Sequence, residues 1–186
     1  MIASLPDSLE INGRKVKLKS SDYRVALIVF QALNDPDMPD YEKAYVMVDA
    51  LLGWENVGDD ERNDALEKCL WFLNGGKAND ERKGKPKLMD WEQDEQMIFS
   101  AVNRIAGKEV RELPYMHWWT FLGYFQEIGE GLFSTIILIR QKLAKGKKLD
   151  EWESEFYAEH KEQVDIKERY SEAEKRRMER LNKLLQ

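Results

Sequence analysis

Residues 113–148 read LPYMHWWTFLGYFQEIGEGLFSTIILIRQKLAKGKK, and the fold turns on this stretch. It holds two of the six tryptophans and the densest run of large apolar side chains. From Tyr115 to Ile128, apolar residues cover most of a helical circumference. Only a narrow stripe of His117, Thr120, Gly123 and Glu127 is polar or small. A helix apolar nearly all round lies either at the centre of a globular protein or in a membrane. A membrane span needs roughly 20 apolar residues with few charges. Here Gln126, Glu127, Glu130 and Arg140 interrupt the run too early. The spacing therefore predicts two buried helices, broken near Gly129 and Gly131. Pro114 suits the first helical position, where a missing N–H has no partner to lose. Thr120 and Gly123 are expected to admit a neighbouring helix closely.

Upstream of this pair, residues 8–20 read as a β-hairpin. Leu9 and Ile11 alternate with polar residues, Asn12-Gly13 makes the turn, and Val16 and Leu18 alternate on the return. A hairpin alone is marginal in water, so this one must lie on the helices or pair with another chain. A first helix is predicted over 22–33, capped by Ser20 or Ser21, with Val25, Ile28, Val29 and Leu33 as its stripe. A second spans 41–52 and is stopped by Gly53. A third spans 60–73 and carries Ala65, Cys69 and Phe72. Residues 74–87, NGGKANDERKGKPK, contain no large apolar side chain and read as a mobile loop. A fourth helix is predicted over 90–106, ending at Gly107. Beyond Leu149 there is no glycine or proline, which predicts one long helix that docks at its start and projects at its end. The expected fold is mainly α: a multi-helix globular domain over 1–160, with a small N-terminal β-hairpin, a mobile loop at 74–88, and a long C-terminal helix projecting over 161–186.

Charged residues make up 34% of the chain, above the usual quarter, and a mean hydropathy of −0.65 fits a solvated extension. A net charge of −6 argues against a general nucleic-acid binder. The single cysteine, Cys69, can form no internal disulfide, so a reducing compartment is expected. The first fifteen residues carry no basic region followed by an apolar one, so no secretory signal is expected. The expectation is a soluble protein of the cytoplasm.

No catalytic constellation can be assembled. Asp90, Glu92, Asp94 and Glu95 cluster as metal ligands might, but acids are favoured in a first helical turn. His117 and His160 lack ligand partners at metal-site spacing, and His117 reads as a hydrogen-bonded residue of the polar stripe. Cys69 falls on an apolar helix face, which makes it core rather than nucleophile. Gly75-Gly76-Lys77 and Gly129-Glu130-Gly131 complete no phosphate-binding motif. The basic groups at 77–87 and at Arg140, Lys142, Lys145, Lys147 and Lys148 read as solvated surface. No catalytic, cofactor-binding or metal-binding residue is expected, and no cofactor.

One stretch suits a partner. Over 161–186 eight basic residues face six acids, many three or four apart with opposite sign, as Glu172 with Arg176 and Glu179 with Lys183. Tyr170, Ala173, Arg177, Leu181 and Leu184 fall along one face, with Met178 beside it. This stripe is too sparse for burial in a core. It is wide enough for a groove on another protein, or for a second copy. The candidate partner-binding residues are therefore Tyr170, Arg177, Met178, Leu181 and Leu184.

The segments DWEQD at 90–94, HWWTFLG at 117–123, KGKKLDEWE at 145–153 and ALNDP at 32–36 together resemble the bacteriophage gp-fifteen family. The resemblance covers nearly the whole chain apart from the last twenty or so residues. It implies a protein of tailed phages and prophages of Gram-positive hosts, encoded just before the tape-measure gene, where tail assembly chaperones usually lie. The function it implies is non-enzymatic: a tail assembly chaperone acting on the tape-measure protein in the host cytoplasm. Its implied partners are the tape measure and tail tube, with a homo-oligomer also open. A structural component of the virion tail is the first alternative, and an enzyme with an unrecognised acidic site the second.

Overall fold

The hairpin forms as β1 (Ser8–Ile11) and β2 (Arg14–Lys17), antiparallel, with Leu9 opposite Val16. Asn12 and Gly13 both take positive φ (45° and 78°), which a two-residue turn of this hand requires. The computed structural model describes residues 4–78 and 86–184, with the side chains of Glu179 and of 181–184 outside that description. Leu9, Ile11, Val16 and Leu18 are buried against the helices rather than left for another chain. Two polar ties fix the hairpin: Asn12 N–H donates to Asp64 Oδ2 (2.7 Å), and the Arg14 guanidinium reaches Glu61 and the Asn56 carbonyl. Arg14 and the Gly58 N–H hold the Glu61 carboxyl down at about 2.

Helices α1 (Tyr23–Leu33), α2 (Asp40–Leu52) and α3 (Arg62–Leu73) follow close to the expected limits. The cap of α1 is Asp22 rather than either serine, and its Oδ1 accepts the Arg24 N–H. Asp22 Oδ2 also accepts the Met116 N–H, and that distant tie explains the choice. The buried side of α1 is Tyr23, Ala26 and Val29, while Ile28 is 56% exposed. The stripe is thus rotated by about one position from expectation. Tyr41 of α2 is 72% exposed.

Residues 79–85, the middle of the expected mobile loop, lie outside the described residues. Just before them, Gly76 closes α3 through its N–H to the Trp71 carbonyl, at φ 83°. A Cβ there would meet Trp119 Cη2 at 2.8 Å.

Helix α4 (Glu95–Ala106) begins five residues later than expected, because 90–94 form a separate turn. Helix α5 (Trp118–Gln126) likewise begins after Pro114, which is not its first residue. The true cap is His117, whose Nδ1 accepts the Trp119 N–H at 3.0 Å. Its Nε2 then carries the proton and donates to the Pro6 carbonyl (3.1 Å). Residues 21–22 and 117–118 meet as a short antiparallel bridge, with Trp118 N–H on the Ser21 carbonyl and Tyr23 N–H on the Met116 carbonyl. This backbone pairing occupies the positions that a helix starting at Pro114 would need.

Trp118 and Phe121 are fully buried at the centre, packed with Tyr23, Phe30, Trp91 and Phe99. The indole N–H groups of Trp118 and Trp119 donate to the Leu73 and Phe72 carbonyls (2.9 and 2.8 Å), satisfying the end of α3. Gly123 does not mediate a close helix approach, since a Cβ there would touch nothing within 4 Å.

Helix α6 (Leu132–Ala144) completes the expected pair. After it, the single long helix is replaced by three: α7 (Glu151–Glu159), α8 (Lys161–Val164) and α9 (Glu172–Leu184). A reciprocal box between Asp150 and Glu153 caps α7. No helix among the described residues is long and apolar enough to cross a membrane.

Candidate functional site: the 90–94 turn and the C-terminal strap

The DWEQD turn is closed by its own first residue, as Asp90 Oδ1 accepts the N–H groups of Glu92 (3.0 Å) and Gln93 (2.9 Å). Trp91 points inward and packs against Phe30, Trp118 and Phe125. The four polar side chains of the turn are left to engage segments brought from far along the chain.

Asp94, fully buried, forms a two-pronged ion pair with Arg140 of α6 at 2.7 and 2.8 Å. Arg140 donates its other hydrogens to the carbonyls of Leu88, Gln163 and Val164. All five N–H groups of the guanidinium are therefore used, which makes burial of this charge tolerable. Sequence places Arg140 among solvated basic residues, but it is only 5% exposed. Its position explains this: it shares a helical stripe with Phe133, Ile136 and Ile139, all buried.

Arg140 and Gln93 together break the expected long helix. In a continuous helix the Lys167 N–H would donate to the Gln163 carbonyl. Instead Arg140 takes that carbonyl at 2.6 Å, and Gln93 Oε1 accepts the Lys167 N–H at 2.9 Å. Gln93 Nε2 also donates to the Asp165 carbonyl at 2.8 Å. Val164 is buried against Ile136 and Ile139, so the chain is anchored there and leaves α8 extended.

The extended strap 165–171 continues across the turn. Arg169 donates to Asp90 Oδ1 (2.8 Å) and Glu92 Oε2 (2.7 Å), and the Glu172 N–H reaches Asp37 Oδ1 (2.8 Å). The acids of the turn thus hold distant segments through ion pairs and hydrogen bonds, and are not simple first-turn residues. Burial pushes the Asp90 carboxyl up, but the Lys87 ammonium, the Gln93 N–H and Arg169 outweigh it and hold it at about 2. Asp90 is ionised at any ordinary pH. Residues 161–172, expected to project, are in fact tied to the body, and only α9 stands beyond these ties.

Beside Arg169 lies a groove of about 170 Å³ between α1 and the turn. Leu27 and Ile28 line one side, Trp91, Glu92 and Asp90 the other, and Arg169 closes one edge. A larger groove of about 630 Å³ runs between β1 and α3, along Leu9, Leu70 and Trp71.

The candidate partner residues are not gathered into a pocket. Tyr170 and Met178 are each 37% exposed and Arg177 is exposed. The side chains of Leu181 and Leu184 lie outside the described residues. Among the described residues no three acidic, histidine or cysteine groups gather as metal ligands. Cys69 is buried, and desolvation pushes its thiol up to about 12. Of the basic loop cluster, Arg82, Lys83 and Lys85 lie outside the described residues.

A protein-family model described as "Bacteriophage Gp15 protein" matches residues 1–166. No curated protein and no solved structure matches the chain. The matched span takes in the turn, Arg140 and Val164, and ends as the strap begins.

Proposed function

The chain belongs to the bacteriophage Gp15 family, and from that premise we propose that it is a non-enzymatic phage tail morphogenesis factor. In this reading it is a tail assembly chaperone that uses no cofactor and meets the tape-measure protein in the host cytoplasm. The observation that carries the reading is α9. Its described side chains, from Glu172 to Met178 and Arg180, are all exposed, so the core makes no use of them. An isolated helix of this length, 13 residues, is marginal in water and gains stability by docking. In this reading α9, held at its base by the strap, docks on a partner, with Tyr170 of the strap and positions 177, 178, 181 and 184 as the candidate contacts.

The test has two arms. Co-expression with the tape-measure protein should yield a complex that is lost when 172–186 are deleted. Mass spectrometry of purified virions should then find the protein absent from mature particles. Many copies per particle would replace the chaperone reading with that of a structural tail component.

A further inference from the structure

The two ends of the C-terminal attachment differ in kind. Val164 is buried beneath Arg140, whereas none of residues 165–178 is buried. Their described ties to the body are polar: the Gln93 amide, the Arg169 ion pairs and the bond from Glu172 to Asp37. Such a segment opens locally at far smaller cost than the core. Beside it lies a groove, closed at one edge by Arg169, with an apolar wall of Leu27, Ile28 and Trp91 and an acidic wall of Asp90 and Glu92. The groove displays its own ligand chemistry, because a guanidinium already lies between the two carboxylates, at 2.8 and 2.7 Å.

We propose that this groove is part of a guanidinium-binding cleft whose carboxylate edge Arg169 holds in cis, and that an arginine-bearing peptide segment of a partner displaces Arg169 and the strap with it. Charge complementarity selects the occupant. The planar fork of arginine spans two carboxylates as a lysine ammonium does not, and the apolar wall accepts the side chain that follows it. Displacement pivots at Val164, which Arg140 keeps in place, so the domain stays folded while α9 is released. The cleft is then autoinhibited by its own chain. The inference stands whether or not the partner is a tail protein.

The experiment uses the full chain and a capped peptide of its own strap, DIKERYSE, followed by backbone amide resonances. In Arg169→Ala, the amides of 165–172 should exchange faster with solvent while those of α5 keep their protection. The peptide should shift the resonances of Leu27, Ile28 and Trp91 saturably in Arg169→Ala. In the wild type it should bind at least about tenfold more weakly, because the cis occupant leaves few molecules open. DIKEAYSE should shift nothing, and Glu92→Gln added to Arg169→Ala should weaken the response. Unchanged strap exchange in Arg169→Ala would overturn the latch. Equal binding to both chains, or to neither, would overturn the cleft.

Discussion

Trp118 and Arg169 both join segments far apart in the chain, yet by opposite means. Trp118 is fully buried among Phe30, Trp91 and Phe121 and adds one indole hydrogen bond to the Leu73 carbonyl. Arg169 is partly exposed and holds two carboxylates, with no buried neighbour from 165 to 178. The first kind of join is insensitive to salt and costly to break. The second is screened by salt and exchangeable. The difference assigns them separate tasks, one keeping the domain folded and the other setting when its last helix is free.

The comparison breaks most visibly at the core. Trp118→Ala should lower unfolding free energy by about 3–5 kcal/mol, the range for a buried aromatic, as read by urea denaturation. A loss under about 1 kcal/mol would show that the aromatic centre is not where stability resides. Arg140→Ala comes next, at about 3 kcal/mol or more, since it leaves Asp94 buried and unpaired. It should also loosen Val164, so amide exchange at 161–172 should rise with the global loss.

Acid sharpens the contrast further. The folded carboxyl of Asp90 lies at about 2 against an ordinary value of 3.8. A depressed carboxyl contributes stability that is full above the unfolded value and lost as pH falls through the folded one. Stability from this group should hold down to about pH 4 and then decline toward pH 2. The loss should be about 1–2 kcal/mol after allowance for screening at its partly exposed partners. Asp90→Asn should remove that segment of the pH profile. The smallest effect belongs to α9: deleting 172–186 should change unfolding free energy by less than about 0.5 kcal/mol. A larger loss would place α9 in the fold and erase the division.

What was legible in the sequence was local. The Asn12-Gly13 hairpin and the glycine stop at Gly53 follow from backbone preferences over a few residues, and both appear. The mistaken start of α5 and the missed break after Val164 share one cause, which is a distant partner prevailing over a local signal. Pro114 is a good first helical residue, but the backbone bridge from Ser21 to Trp118 claims that stretch and passes the start to His117. The helix pattern from Leu149 has no internal breaker, and its break after Val164 comes from Arg140 and Gln93, more than twenty residues away. Arg140 itself had a readable mark, a charge on the same stripe as Ile136. Its meaning depended on Asp94, 46 residues earlier. Residues 90–94 were visible as an acidic cluster, but their role as the strap's holder was not, because Arg169 lies 79 residues from Asp90.

The indole bonds from Trp118 and Trp119 to the end of α3 also govern the order of events as the chain is made. Their donors follow the carbonyls they satisfy by 45 and 47 residues, and the Met116 N–H reaches Asp22 across 94. A growing chain that has released the hairpin and α1 to α3 still lacks these closing groups. Until α5 emerges from the ribosome, Phe72 and Tyr23 in its first half are short of their neighbours. Such late, long-range closure slows folding relative to a bundle closed by adjacent helices. A nascent fragment ending before residue 117 should be the species most in need of protection while translation proceeds.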